Sequence, residues 1–252
     1  MKKDRGTNWR LIEIETLDPY TALGIEESAV NSVAGGGDPV IHFWEWDRKA
    51  VTIGSFQAYL DEVYDERCAE DGVPVIRRQS GGGTMYHSPG QEMVFSMIAG
   101  PKIMRNDIKE SYRVALDPVI MGLERIGIGA VMDENNLFVR GSKISGSAQR
   151  RQVKAVLVHG TLLYEVDEEE MLSYIRGDRA ISSGRGTCSV YKPVTSISEH
   201  VEIPYGDLYK VIRDSFAEGR NFEIDSWSDE EMETARDLAI SRYGDEEWNR
   251  KI

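Results

Sequence analysis

Cysteine is scarce in this chain: 252 residues hold only Cys68 and Cys188. The pair has neither the density of a disulfide scaffold nor the spacing of a metal site, which fits a reducing compartment. Basic residues are also short, 30 Lys and Arg against 43 Asp and Glu, giving a formal charge of −13. Binding along a phosphate backbone needs a basic stripe, so a general nucleic-acid surface is excluded. No run approaches the roughly 18 apolar residues of a membrane span. The start, Met1-Lys2-Lys3-Asp4-Arg5, leads into polar residues with no signal-peptide core behind it. These absences predict a soluble, cytoplasmic protein with no nucleic-acid and no membrane partner. Familiar active-site signatures are missing too. No Gly-Lys-Ser/Thr closes a glycine-rich loop, no Gly-x-Ser-x-Gly elbow occurs, and the four histidines follow no zinc pattern.

What is present is an alternation of strand-like and helix-like segments with no internal repeat and no low-complexity linker. Strands are predicted over 9–15, 40–46, 50–54, 93–98 and 156–164. Helices are predicted over 22–30, 59–70, 106–126, 167–175 and 205–216, and another from the Ser228-Asp229-Glu230-Glu231 signature. In the 59–70 helix, Leu60, Val63 and Cys68 face loosely inward. Pro118 predicts a kink or break in its helix. Gly141-Ser142 between two β-prone arms is a two-residue hairpin signal, and Gly160 predicts a bulge or a close ligand. Gly35-Gly36-Gly37 reads as a plain loop. The pattern predicts one α/β domain over 1–252, with an antiparallel-biased sheet and flanking helices.

One stretch invites chemistry: Val75-Ile76-Arg77-Arg78-Gln79-Ser80-Gly81-Gly82-Gly83-Thr84-Met85-Tyr86-His87. A strand runs into two arginines and three glycines, and the chain resumes as a second strand. Glycine lets backbone N–H groups converge on an anion, and arginines at the lip add fork-shaped donors. The other reading is a hairpin turn with solvated arginines. Lys143, between Gly141 and Gly146, could point an ammonium at an anion, but by spacing alone it reads as a solvated edge lysine. Cys68 sits among acidic side chains that disfavour a thiolate and reads as structural. His87 and His159 stand out because glycines surround them; His42 and His200 do not.

The stretch from Arg77 to His87 resembles the Arg-Arg-x-Ser-Gly-Gly-Gly-x-x-Tyr/Phe-His loop of lipoate–protein ligases. Lys143-Ile144-Ser145-Gly146-Ser147-Ala148 is similar to their lysine segment, and His159-Gly160-Thr161-Leu162-Leu163 to their His-Gly-Thr-Leu-Leu. Weaker matches are Ile53-Gly54-Ser55-Phe56-Gln57, Val194-Thr195-Ser196-Ile197 and Glu246-Glu247-Trp248-Asn249. Order and spacing agree from about residue 9 onward.

The resemblance implies the biotin/lipoate ligase fold, related to class II aminoacyl-tRNA synthetase cores. It also implies a reaction, in which lipoate and ATP give lipoyl-AMP and the acyl group passes to a lysine of an acceptor domain. Both attacks come from substrates, so the protein's work is positioning and charge stabilisation. By the family pattern Lys143 is the catalytic cation, touching the carboxylate and the α-phosphate. Arg78, Gly81, Gly82, Gly83, Thr84, Met85 and Tyr86 line the nucleotide site, with Arg78 as its main charge. His87, His159 and Gly160 border the substrate pocket, and residues 181–190 stand where the family has an adenylate-binding loop. ATP and lipoate are the implied substrates, with Mg²⁺ expected. The implied partners are acceptor proteins of the 2-oxoacid dehydrogenase E2 or glycine-cleavage H type, and a separate polypeptide supplying the C-terminal accessory domain that this chain lacks.

Two positions depart from the family pattern, Ser88 and Asn136, where aspartates are usual, so no metal ligand is assigned. A rival reading is an octanoyl- or lipoyl-transferase of the same fold, which works without ATP and carries the acyl group on a cysteine. Tyr86-His87-Ser88-Pro89-Gly90-Gln91 resembles one such group. Its cysteine, however, falls where Leu157-Val158 stand, and Cys188 is the thiol left to nominate. A biotin ligase would need a Gly-Arg-Gly-Arg type loop, which is absent. A non-catalytic binding module of the same fold is the remaining alternative.

Overall fold

A computed structural model describes residues 4–177 and 182–252. The strands in chain order are β1 (Asp4–Leu17), β2 (Val40–Trp46), β3 (Ala50–Ile53), β4 (Val75–Arg77), β5 (Met85–His87), β6 (Glu92–Ala99), β7 (Val131–Asp133), β8 (Asn136–Val139), β9 (Ser142–Arg151), β10 (Val156–Leu163) and β11 (Arg220–Asp225). The large sheet runs β11-β1-β2-β6-β10-β9-β8-β7, and a small one runs β4-β3-β5. In the large sheet β1 is parallel to both its neighbours and every other pair is antiparallel. The protein is thus a mixed α/β fold with a mostly antiparallel sheet flanked by helices.

The central strands β6 and β10 are buried at every position, as their unbroken apolar runs require when helices cover both faces. One face is covered by the helices Ile108–Arg125 and Tyr205–Ala217, whose Leu116, Val119, Ile212 and Phe216 pack on Phe43, Phe95 and Met97. The other is covered by the helix Pro19–Ala34, through Ala29 and Val30 against Val40, Ile98 and Leu157. The small sheet has its own core of Val51, Ile53, Val75 and Tyr86. Among the described residues no helix is long and apolar enough to cross a membrane.

Local expectations fail where long-range partners intervene. The helix predicted over 59–70 is two, Tyr59–Glu62 and Asp65–Glu70, because Val63 turns extended to bridge Ile175 and bury itself. Leu60, expected inward, is 59% exposed. The helix Ile108–Arg125 carries Pro118 without a break. The hairpin turn is Arg140-Gly141, both at positive φ (51° and 90°), rather than Gly141-Ser142. Lys143 is therefore the second residue of β9. The register of β10 passes through His159-Gly160 without a bulge. Gly160 is needed for close packing instead, since a Cβ there would meet Ser147 Oγ at 2.5 Å and Phe95 Cζ at 2.6 Å.

Candidate active site

A cavity of about 260 Å³ opens between the glycine loop, strands β9 and β10, and the segment Cys188–Lys192. Leu23, Trp44, Trp46 and Val94 give it an apolar wall; Arg78, Lys143, His87, His159 and Glu26 give it polar groups. Gly82, Gly83, Thr84, Met85 and Gly160 also border it, as does Cys188. The structure thus brings most of the candidate residues to one place. Gly81 and Tyr86 stand aside. Gly81 offers its carbonyl to Arg78, and Tyr86 lines an adjoining cavity of about 90 Å³, stacked on Tyr174 and donating to Glu170 at 2.6 Å. Both cavities are bordered by Thr84, Met85, Lys143 and Ser189, so the second lies just across them from the first.

The two arginines, expected together at the lip of an anion cradle, have different fates. Arg77 is fully buried and spends its guanidinium on carbonyls of Gly54 (3.0 Å), Gln57 (2.6 Å) and Asn249 (2.9 Å). Trp248 Nε1 donates back to the Arg77 carbonyl at 2.8 Å. Arg77 is a strut that ties the C-terminal helix Glu246–Asn249 to the loop's base, and it has no place at the lip. Arg78 borders the cavity but is also buried. Its Nε donates to Ser80 Oγ, its Nη1 to the carbonyl and hydroxyl of Thr52, and its Nη2 to the carbonyls of Gly81 and Gly83. Its fork therefore shapes the loop. Burial pushes its pKa down to about 10. Gly54 lets the loop seat itself, because a Cβ there would stand 2.2 Å from the Gly82 carbonyl oxygen.

Lys143 is held by the sheet ladder on one side and on the other by a bridge to Val194, with its N–H on the Pro193 carbonyl. Its Nζ has Met85 Sδ at 4.0 Å. Burial first, then the Arg78 and Lys192 cations, push its pKa down to about 8. An ammonium in that position is poorly solvated and gains from any anion or developing oxyanion that enters.

A polar knot fixes the segment that carries Cys188. Ser189 Oγ accepts from the Thr84 N–H (2.9 Å) and from Gln57 Nε2 (3.0 Å), and donates to Glu62 at 2.5 Å. The Ser189 N–H donates to the same carboxylate at 2.8 Å. Cys188 borders the cavity from this anchored position, whereas Cys68 is buried against Tyr174 with its thiol pushed up to about 11 by burial. Of the 181–190 loop, Ile181 lies outside the described residues.

Sequence reasoning missed Glu26, Thr52, Glu92 and Ser189. Glu26 left a signal, a carboxylate beside Ile25 on an otherwise apolar helix face; the others left none. For the expected Mg²⁺, the described residues hold no group of three or more His, Cys, Asp or Glu that could bind a metal ion. Of the two acids near the lysine hairpin, Asp133 pairs with Lys192 at 3.8 Å and Glu134 borders the cavity with no second acid of such a group beside it. The donor set does not fit a metal, and no step is routed through one.

Comparison with known proteins separates the fold from the reaction. The family description "Lipoyl protein ligase A/B catalytic domain" matches residues 18–217. Octanoyltransferase LipM of Brevibacillus brevis is 26% identical over 273 residues, covering 96% of this chain and 98% of that protein. The enzyme of the same name from Staphylococcus aureus is 27% identical, covering 95% and 97%. A bi-partite lipoate protein ligase from Thermoplasma acidophilum superposes with a TM-score of 0.83 over 97% of this chain and 96% of that one, at 24% identity, a likeness of fold. The expectation of an ATP-dependent lipoate–protein ligase is therefore corrected. These octanoyltransferases match end to end, and the Thermoplasma acidophilum ligase is a neighbour in fold. Motifs that the two kinds of enzyme share could not tell them apart. What the match along residues 18–217 establishes is that this chain belongs to the lipoyl protein ligase A/B catalytic domain family.

Proposed function

We propose that the protein is an acyl transferase, moving an octanoyl-type group from a carrier thioester to the lysine of a lipoyl-type acceptor domain without ATP. The near-full-length match to octanoyltransferases carries this reading. The cavity supports it, because an apolar wall, a poorly solvated ammonium and a thiol border one space. The acyl chain lies against Leu23, Trp44, Trp46 and Val94, where water is excluded. Its carbonyl then comes to rest near Lys143.

Cys188 is the proposed nucleophile. Its thiolate attacks the donor carbonyl, and the tetrahedral oxyanion is stabilised by the Lys143 ammonium. The donor C–S bond breaks, the proton that Cys188 gave up passes to the departing sulfur, and the donor leaves as its thiol. The acceptor lysine amine, as the free base, next attacks the Cys188 thioester; an amide forms, the C–S bond breaks, and the amine's proton returns to the Cys188 sulfur. Each bond made matches one broken, so no nucleotide is needed.

The test is a single-turnover reaction of the full chain with an octanoyl-carrier thioester, followed by intact-mass analysis. We expect one octanoyl adduct on Cys188, chased to the acceptor lysine in buffer free of ATP and Mg²⁺. Cys188→Ala should form no adduct and transfer nothing. Undiminished transfer by Cys188→Ala removes the covalent route, and dependence on ATP overturns the reading.

A further inference from the structure

Glu26 and Glu92 have no step in the proposed transfer, yet both carboxylates are buried, at 4% and 2% exposure. Burying a carboxylate is costly unless it is paired and hydrogen-bonded, and each of these meets a histidine. Each leads to Arg78 through the same succession of groups. Glu26 meets His159 Nδ1 at 2.8 Å, His159 Nε2 meets Ser80 Oγ at 2.7 Å, and Arg78 Nε donates to that oxygen at 3.1 Å. Glu92 meets His87 Nδ1 at 2.5 Å, His87 Nε2 meets Thr52 Oγ1 at 2.8 Å, and Arg78 Nη1 donates to that oxygen at 3.2 Å. The first chain draws on the helix Pro19–Ala34, β10 and the glycine loop; the second draws on β6, β5 and β3. Two unrelated sets of segments thus converge on one guanidinium with the same chemistry.

Arg78 and the two carboxylates together set the directions. A carboxylate only accepts, so each Nδ1 carries the hydrogen given to it, and a neutral imidazole then presents a lone pair at Nε2. A guanidinium only donates, so each hydroxyl oxygen accepts from it and turns its own hydrogen to that lone pair. Hydrogen bonds aligned in one sense polarise one another, and the counter-charge reaches Arg78 without a carboxylate hydrogen-bonded to it.

We propose that Glu26 and Glu92 are positioning residues. Through one histidine and one hydroxyl each, they fix the plane of Arg78, which in turn fixes the Gly81 and Gly83 carbonyls and so the cavity wall across from Lys143. The effect on rate rests on the transfer proposed above; the hydrogen-bond chains do not.

Four histidines in the sequence make the imidazoles assignable one at a time. Nitrogen-15 NMR of the ligand-free full chain should show His87 and His159 as Nδ1–H tautomers with bare Nε2. Ser80→Ala should release the His159 tautomer and leave His87 unchanged, and Thr52→Ala should do the reverse. In octanoyl transfer, Glu26→Ala and Glu92→Ala should each lower kcat on the order of 10²-fold with little change in donor KM, the scale of a misplaced reacting group. Glu26→Gln, whose amide oxygen still accepts from Nδ1–H, should recover most of that loss. An Nε2–H ring at either position, or tautomers indifferent to the hydroxyl substitutions, overturns the chains. Full kcat in a folded Glu26→Ala overturns the positioning role. Because the tautomers are read without substrate, their outcome is independent of whether octanoyl is the acyl group.

Discussion

Arg10 and Arg78 are both largely buried guanidiniums, and the protein satisfies them in opposite ways. Arg10, on β1, meets carboxylates directly: Glu231 at 2.7 Å and Asp225 at 2.5 Å. Its pKa rises through the Glu231 hydrogen bond, and that carboxylate, despite its own burial, is held down to about 2 by Arg10 and the Ser228 cap. Arg78 is given hydroxyls and carbonyls, with the Glu26 carboxylate a histidine and a hydroxyl away. Burial lowers it to about 10, and lowers its neighbour Lys143 to about 8. The clamp at the sheet edge makes charge more secure, and the cavity makes it reluctant. A cation that is reluctant to be charged gains most from an anion that arrives.

The largest effect should come from removing the reluctant charge. Lys143→Met is expected to lower acyl transfer on the order of 10³-fold, about 4 kcal/mol of transition-state stabilisation. Its thermal midpoint should hold or rise, because the substitution deletes a poorly solvated ammonium and adds an apolar chain. Calorimetry beside a transfer assay checks both. A clear loss of stability with modest loss of rate would make Lys143 a structural cation like Arg10 and erase the contrast.

The secure charge should show itself in acid. Glu231 has a folded-state pKa near 2, below its ordinary value, so its stabilisation is complete above about 4.5 and is lost as pH falls toward 2. The shift corresponds to roughly 3 kcal/mol, and the side chain is only 9% exposed, so screening removes little of it. Chemical denaturation between pH 6 and pH 3 should lose less stability in Glu231→Gln than in the parent, from a lower starting point. Parallel curves would sink the clamp as the acid-sensitive element. Most of that cost falls on the docking of the helix Asp229–Leu238 and the edge strand β11.

How much of this could be read from residues alone follows the range of the interactions. Ser228 and Glu231 form the capping box that their spacing announces, because the box is local. Val40–Trp46 is a strand because five of its seven residues, Val40, Ile41, Phe43, Trp44 and Trp46, are β-branched or aromatic. Arg77 and Arg78 look alike in sequence and differ in fate because Arg77 finds the Asn249 carbonyl, 172 positions away. The edge strand β11 escapes sequence reasoning because its residues are mostly exposed and its pairing is parallel to a strand from the other end of the chain. Glu26 shows only as a carboxylate on an apolar helix face, because helix periodicity says nothing of the histidine opposite. Motifs carried the family but pointed to an ATP-dependent ligase, a reading that the end-to-end octanoyltransferase relatives overturn.

The smallest effect, and the sharpest on the contrast, is in alkali. With Lys143 near 8, its charge is lost above that pH, whereas a solvent-exposed lysine would keep it to about 10.4. The kcat/KM for the acyl donor reports groups of the free enzyme, so it should fall about tenfold for each pH unit above 8. Ionisation of a nucleophilic thiol, or of the acceptor amine, raises a rate with pH. A descending limb near 8 must therefore belong to a group that is needed in its protonated form. Lys143→Arg places in the same strand position a cation that stays protonated throughout this range. It should start from a lower rate, since the planar fork does not reproduce a point charge, and show no descending limb up to pH 9.5. If the limb persists in Lys143→Arg, the titrating cation lies elsewhere, and reluctance to be charged is not what Lys143 contributes.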